Sequence, residues 1–252
     1  MTARILATRR LPDAGWEILT KRVQVTLLAE KDDELVPRER ILAAIPEADV
    51  LVSLLTESID KEILEAGKRL RGVANMAVGF NNIDVVAATA LGLPVSNTPG
   101  VLTDTTADLA FALLLAVARN VVPADRYMRD AKFRLWGPSL FLGADISRGG
   151  DGRPKTLGIV GFGRIGQAVF RRAQGFDMRV LAFDPPLKSL IEKTEGVEYA
   201  DFATLLAESD FITLHTDLNP STRHLFDERA FDSMKPNAIL VNTSRGPVVD
   251  EV

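Results

Sequence analysis

The sequence predicts an α/β protein made of two doubly wound parallel-sheet domains. Three observations predict it. Short β-branched runs alternate with helical stretches along most of the chain, and that alternation builds parallel sheets covered by helices on both faces. Asn97-Thr98-Pro99-Gly100 interrupts the alternation with strong turn punctuation and divides residues 1–98 from residues 99–252. Gly161, Gly163 and Gly166 then form a G-x-G-x-x-G turn between a strand and a helix. Both domains are therefore expected to be Rossmann-like or flavodoxin-like, with a cleft between them.

In order, Arg4 to Thr8 reads as a strand and Leu11 to Leu19 as a helix entered through Pro12. Val23 to Leu28 alternates as a strand, and Pro37 to Ile45 is a helix with proline in its first turn. Asp49 to Leu54 is a buried strand, Ile59 to Ala66 a short helix and Gly72 to Ala77 a strand. Ile83 to Leu91 is a helix stopped by Gly92, and Pro94 to Ser96 is a brief strand. A single long helix is expected from Thr103 to Ala131. Eleven of the twelve residues from Ala107 to Ala118 are apolar, so this part is hydrophobic all round and is expected to be buried, some of it against a second subunit. Phe133 to Leu142 is aromatic and irregular, and Ser147 to Pro154 reads as an exposed flexible loop. Beyond the glycine turn, Phe202 to Ala207 and Asp227 to Ser233 read as helices, Asp210 to His215 and Ala238 to Asn242 as strands.

The stretch Lys155 to Pro185 carries the chemistry. Thr156 to Val160 is a strand, and the three glycines allow a tight turn, close approach of a pyrophosphate and close helix packing, in that order. The following helix offers unpaired N–H groups to phosphate oxygens. Met178 to Phe183 is a second strand, ending at Asp184, 18 residues after Gly166. A carboxylate there accepts hydrogen bonds from ribose hydroxyls and repels a 2′-phosphate. The cofactor expected is a dinucleotide, NAD in preference to NADP. The first unit has no such glycine turn and is not expected to be a second nucleotide site.

Composition narrows the rest. Hydrophobic residues make up 46% and charged residues 25%, and the net charge is −4, which gives no basic field for nucleic acid or anionic lipid. With no cysteine, disulfides and thiolate chemistry are excluded. The N-terminus lacks the apolar core of a signal peptide, and the longest apolar run, Leu109 to Ala118, is too short to span a bilayer. A cytoplasmic protein is expected. Two histidines and scattered carboxylates lack metal-ligand spacing, so no metal site is expected.

Five ordered segments add a resemblance: VGFNNID (Val78 to Asp84), NTPGVLTDTTADLAFALLL (Asn97 to Leu115), TLGIVGFGRIGQA, LHTDLNPSTRHLF (Leu214 to Phe226) and AILVNTSRGPVVDE (Ala238 to Glu251). Together they resemble the D-isomer-specific 2-hydroxyacid dehydrogenases, nearest the glyoxylate/hydroxypyruvate reductase branch. The resemblance implies hydride transfer between NAD(H) and a small 2-hydroxy or 2-keto acid. It implies that Arg245 is catalytic, clamping the substrate carboxylate and polarising the carbonyl, work suited to a planar guanidinium fork. Val78 and Gly79 would offer backbone N–H groups to that carboxylate, with Leu54 and Leu55 as an apolar wall. The cofactor would be lined by Thr106, Gly161, Gly163, Arg164, Ile165, Gly166, Asp184, His215, Thr216, Thr243, Ser244 and Arg245. Trp136 either reaches a neighbouring subunit's site or packs in the core. A homodimer through the helix from Thr103 is implied as well.

Asp217 departs from the family's usual proline. The family's catalytic glutamate and histidine lie well downstream of the arginine, whereas Val252 is seven residues after Arg245. The 252-residue chain by itself is therefore expected to be marginally stable and to lack reductase activity. The alternatives are a non-catalytic, NAD-sensing binding protein of the corepressor kind or an inactive fragment of the enzyme.

Overall fold

Parallel strands with helical crossovers organise both halves of the chain. The computed structural model describes residues 2–31 and 33–252, which divide into two units, Met1–Val101 and Leu102–Val252.

The first unit runs β1 (Arg4–Arg9), α1 (Asp13–Thr20), β2 (Gln24–Ala29), α2 (Arg38–Ala44), β3 (Val50–Ser53), α3 (Lys61–Ala66), β4 (Val73–Asn75), α4 (Val85–Ala90) and β5 (Val95–Ser96). The strands are all parallel, in the order β2-β1-β3-β4-β5. α3 and α4 start where the side chains of Asp60 and Asp84 accept the N–H groups of Ile63 and Ala87, satisfying donors that a helix start leaves unpaired. One face of the sheet buries Leu6, Leu51, Ile41, Ile45, Ile59, Ile63 and Leu64. Each fully buried aliphatic side chain contributes roughly 1.5–3 kcal/mol. Ile5, Ala7 and Val52 pack on the other face with Trp16 and Leu19.

The second unit runs α5 (Thr103–Ala118), α6 (Val121–Arg129), β6 (Thr156–Val160), α7 (Arg164–Gln174), β7 (Arg179–Phe183), α8 (Lys188–Ile191), β8 (Glu198–Tyr199), α9 (Phe202–Glu208), β9 (Phe211–Leu214), α10 (Glu228–Asp232) and β10 (Ile239–Asn242). Its parallel sheet has the order β10-β9-β6-β7-β8. Strand order therefore reverses between β6 and β9, and the carboxyl ends of those two strands form the switch-point crevice where open α/β sheets bind ligands.

Two expectations are corrected. The helix from Thr103 does not continue to Ala131: it breaks at Asn120, which takes a left-handed conformation (φ 54°), and α6 leaves at 64° to α5. Asparagine tolerates that region better than most residues, and Pro123 suits a first turn but not a helix interior. Within the single chain, α5 is buried on one side. Ala107, Ala110, Phe111, Leu114 and Ala118 are buried, whereas Leu109, Leu113 and Val117 are 53, 41 and 57% exposed. The Ser147–Pro154 segment is a hydrogen-bonded hairpin rather than a flexible loop: Arg148 pairs with Pro154, and Gly149 N–H donates to the Arg153 carbonyl. Among the described residues, no single helix is long and apolar enough to cross a membrane.

Candidate functional site

The glycine turn sits at the carboxyl end of β6, and each glycine answers a different local demand. Gly161 has φ +92°, and a Cβ there would lie 2.7 Å from the backbone carbonyl of His215. Gly166 lies in the first turn of α7, where a Cβ would run into the Gly161 carbonyl oxygen. Gly163, at the helix N-cap, differs: a Cβ there would meet nothing within 4 Å. Its lack of a side chain leaves an open cradle before unpaired N–H groups, the shape a pyrophosphate needs.

Two side chains hold this turn. Phe162 N–H donates to Asp184 Oδ2 (2.8 Å), and Gln167 Nε2 donates to the Phe162 carbonyl (3.0 Å). Asp184 follows directly on β7 and also accepts from Leu187 N–H at 3.3 Å. Its half-buried carboxylate still has acceptor capacity for a ribose. Arg164 projects into solvent at the start of α7, while Ile165 packs against the core.

Across the switch point, His215 follows directly on β9. Its Nε2 lies 2.8 Å from Thr213 Oγ1 and its Nδ1 3.3 Å from Thr243 Oγ1. Burial pushes the imidazole down to about 4, so it is neutral at physiological pH. The next residue, Thr216, has a buried hydroxyl with no hydrogen-bond partner among the described residues. The Thr216 backbone borders the glycine turn, since a Cβ on Gly161 would lie 2.8 Å from its nitrogen, and a buried hydroxyl left without a partner at such a place fits a polar ligand. Beyond β10, Asn242 shapes the Thr243-Ser244-Arg245 turn. Its Oδ1 accepts from Ser244 N–H (2.9 Å) and Ser244 Oγ (2.8 Å), and its Nδ2 donates to the Arg245 carbonyl (2.9 Å). The half-buried Arg245 donates from Nη1 to the Ser244 carbonyl at 2.8 Å. Thr106 lies in the first turns of α5, held to α7 by Arg172, whose Nε donates to Asp108 at 2.7 Å.

In the first unit, Leu54 and Leu55 follow β3, and Val78 and Gly79 follow β4. The two loops are zipped together: Ile59 N–H donates to the Asn82 carbonyl and Asp84 N–H to the Ile59 carbonyl. The switch-point crevice of this sheet, between β1 and β3, is filled by the chain's own Glu57. That carboxylate accepts from Thr8 Oγ1 (2.8 Å), Arg9 Nε (3.2 Å) and Leu54 N–H (3.1 Å). Burial pushes Glu57 up, but hydrogen bonds from Thr56, Thr8, Leu54 and Arg9 outweigh it and hold the carboxyl below its ordinary value. Leu55 is 54% exposed, so it is not a core leucine, and Trp136, 70% exposed, is not a core tryptophan. Glu57 and Asn242, which organise these loops, were not singled out from the sequence. Their signal was a polar residue at the last position of a strand, Asn242, or shortly beyond one, Glu57.

A sheet of this order with an open glycine turn at its switch point defines a dinucleotide-binding domain. Residues 111–252 match the family model for the D-isomer specific 2-hydroxyacid dehydrogenase, NAD binding domain. A glyoxylate reductase of Thermococcus litoralis is 48% identical over 99% of this chain and 74% of its own length. One from Korarchaeum cryptofilum is 49% identical over 100% and 74%. A Thermus thermophilus protein of known crystal structure superposes with a TM-score of 0.86 at 39% identity, covering 98% of this chain and 75% of its own. The chain belongs to the D-isomer specific 2-hydroxyacid dehydrogenase family. It is an oxidoreductase with an NAD-binding domain, and its substrate class is the small 2-hydroxy and 2-keto acids.

Proposed function

We propose that the chain is a glyoxylate/hydroxypyruvate reductase that prefers NADH to NADPH. The observation that carries this reading is identity of 48 and 49% with glyoxylate reductases along essentially the whole chain. The NAD-sensing alternative has no such support, since these relatives carry reductase names. A cytoplasmic setting, where the reduced cofactor is available, belongs to the same reading.

Arg245 binds the substrate carboxylate and draws electron density toward the carbonyl oxygen, while Val78 and Gly79 N–H groups take the carboxylate. Leu54 and Leu55 shield the substrate from water. Gly161, Gly163, Arg164, Ile165 and Gly166 hold the pyrophosphate side of the cofactor, with Asp184 on the adenosine ribose. Thr106, His215, Thr216, Thr243 and Ser244 line the remainder, the buried Thr216 hydroxyl finding its partner there. When bound, the cofactor supplies a hydride to the keto carbon. The carbonyl oxygen must gain a proton in the same reaction, and His215 does not provide it, because its imidazole is neutral until pH falls to about 4.

Steady-state kinetics test the assignment. The purified full-length enzyme is expected to reduce glyoxylate with a higher kcat/KM for NADH than for NADPH. Asp184→Ser should narrow that ratio about ten-fold, through loss of ribose acceptance and of charge repulsion. Equal or better use of NADPH by the unmutated enzyme would overturn the cofactor choice.

Assembly follows from α5. Leu109, Leu113 and Val117 recur every fourth residue along one face and are all exposed, beside exposed Leu102 and Val121. We assign this face to a homodimer contact. Light scattering at micromolar concentration is expected to give twice the chain mass, and Leu113→Glu the monomer mass. A monomeric unmutated enzyme would contradict it.

A further inference from the structure

The loop after β4 carries three consecutive peptide groups whose carbonyls are each held by a donor on the same unit. The Ala77 carbonyl accepts Thr98 N–H at 2.9 Å. The Val78 carbonyl accepts Asn97 Nδ2 at 2.8 Å. The Gly79 carbonyl accepts Asn75 Nδ2 at 2.9 Å. In a trans peptide the C=O and the next N–H point in opposite directions, so holding the first aims the second. These three bonds therefore aim the N–H groups of Val78, Gly79 and Phe80 away from their holders. None of the three donates to another group among the described residues.

Asn75 is itself fixed. It is 2% exposed, and its Oδ1 accepts Ser53 Oγ at 3.2 Å. Asn82 continues the network, with Nδ2 donating to the Leu54 carbonyl at 2.9 Å and the Glu57 carbonyl at 3.1 Å. The leucine loop and the N–H loop thus share one set of amide side chains.

We propose that Asn97 and Asn75 are positioning residues that clamp the Val78–Phe80 backbone and aim its free N–H groups at the substrate carboxylate. This rests on the assignment of Val78 and Gly79 to carboxylate binding. The clamp acts in the ground state and the transition state alike, because the carboxylate keeps its charge throughout the reaction. Its loss should therefore appear in KM rather than in kcat.

Asn97 is the residue to test, being half-buried rather than central. Asn97→Ala removes the donor without adding charge, and Asn97→Gln keeps a carboxamide one methylene longer. For Asn97→Ala, the KM for glyoxylate and the inhibition constant for oxamate, a carboxylate-bearing analogue, are both expected to rise about ten-fold. Its kcat should change less than three-fold, its NADH dissociation constant should stay unchanged, and Asn97→Gln should recover part of the loss. If both variants reduce glyoxylate with the unmutated KM, the clamp is wrong while the reductase assignment stands. A parallel fall in kcat and NADH affinity, with a lowered Tm and no rescue by glutamine, reduces Asn97 to a structural residue and also overturns the clamp. If the unmutated enzyme neither turns over glyoxylate nor binds oxamate, the parent assignment fails and takes the clamp with it.

Discussion

Replacing Arg245 with lysine is expected to lower kcat/KM for glyoxylate by about 10² to 10³, the scale of losing a preorganised donor to a reacting carbonyl. Lysine keeps the charge but is a point donor, and it cannot reproduce the two-pronged approach of a guanidinium to a carboxylate. Both KM and kcat should suffer, because the same group is assigned to substrate binding and to carbonyl polarisation. The dissociation constant for NADH, measured by fluorescence titration, should move much less. Asn242 shapes the turn through the backbone of Ser244 and Arg245, so the turn itself is expected to survive the change. A lysine variant with unaltered kcat/KM would show Arg245 to be an ordinary turn residue.

The second large effect separates two glycines three residues apart. Gly166→Ala would push a methyl group into the Gly161 carbonyl, part of the backbone rather than the end of a flexible side chain. The cost is expected to be on the order of 3 kcal/mol, a fall in Tm of roughly 6–12 °C. Gly163→Ala would meet nothing in the protein, so its Tm should stay within about 1 °C, well inside the range of neutral surface changes. Its methyl would instead occupy the cradle, and the NADH dissociation constant should rise at least about ten-fold. Differential scanning fluorimetry and NADH titration read the two effects separately. Unimpaired NADH binding by Gly163→Ala would remove the cradle from the cofactor site, and an unchanged Tm for Gly166→Ala would contradict the packing.

The strands were legible because they are short apolar runs rich in β-branched residues between turn signals. Thr156–Val160, buried at every position, and the apolar start of Ile239–Asn242 leave little room for another reading. The glycine turn was legible because its spacing reflects backbone demands that other residues fail to meet. Less legible was the break at Asn120. An apolar run says that a helix is buried somewhere, not where it stops, and the only signals were an asparagine and a proline three residues on. The exposed face of α5 was hidden for a related reason: every face of that helix is apolar in sequence, so periodicity does not separate the covered side from the bare one. The two-residue strand β8 is too short to carry any period. In the site, residues that would touch ligand were readable from motifs, whereas Asn75, Asn82, Glu57 and Asn242 were not. They act on backbone carbonyls and N–H groups, and such partners appear only once the loops are folded.

The bond from Phe162 N–H to Asp184 bears on the thermodynamics of cofactor capture. With Gln167 holding the Phe162 carbonyl and Gly161 seated against His215, the protein's own groups hold the phosphate turn. A disordered loop would have to surrender backbone entropy of roughly 1–2 kcal/mol per residue on binding. Bonds of this kind shift part of that entropy loss from cofactor binding to folding. Binding therefore keeps more of the strength of each phosphate contact, and the turn has little slack with which to accommodate a differently shaped nucleotide.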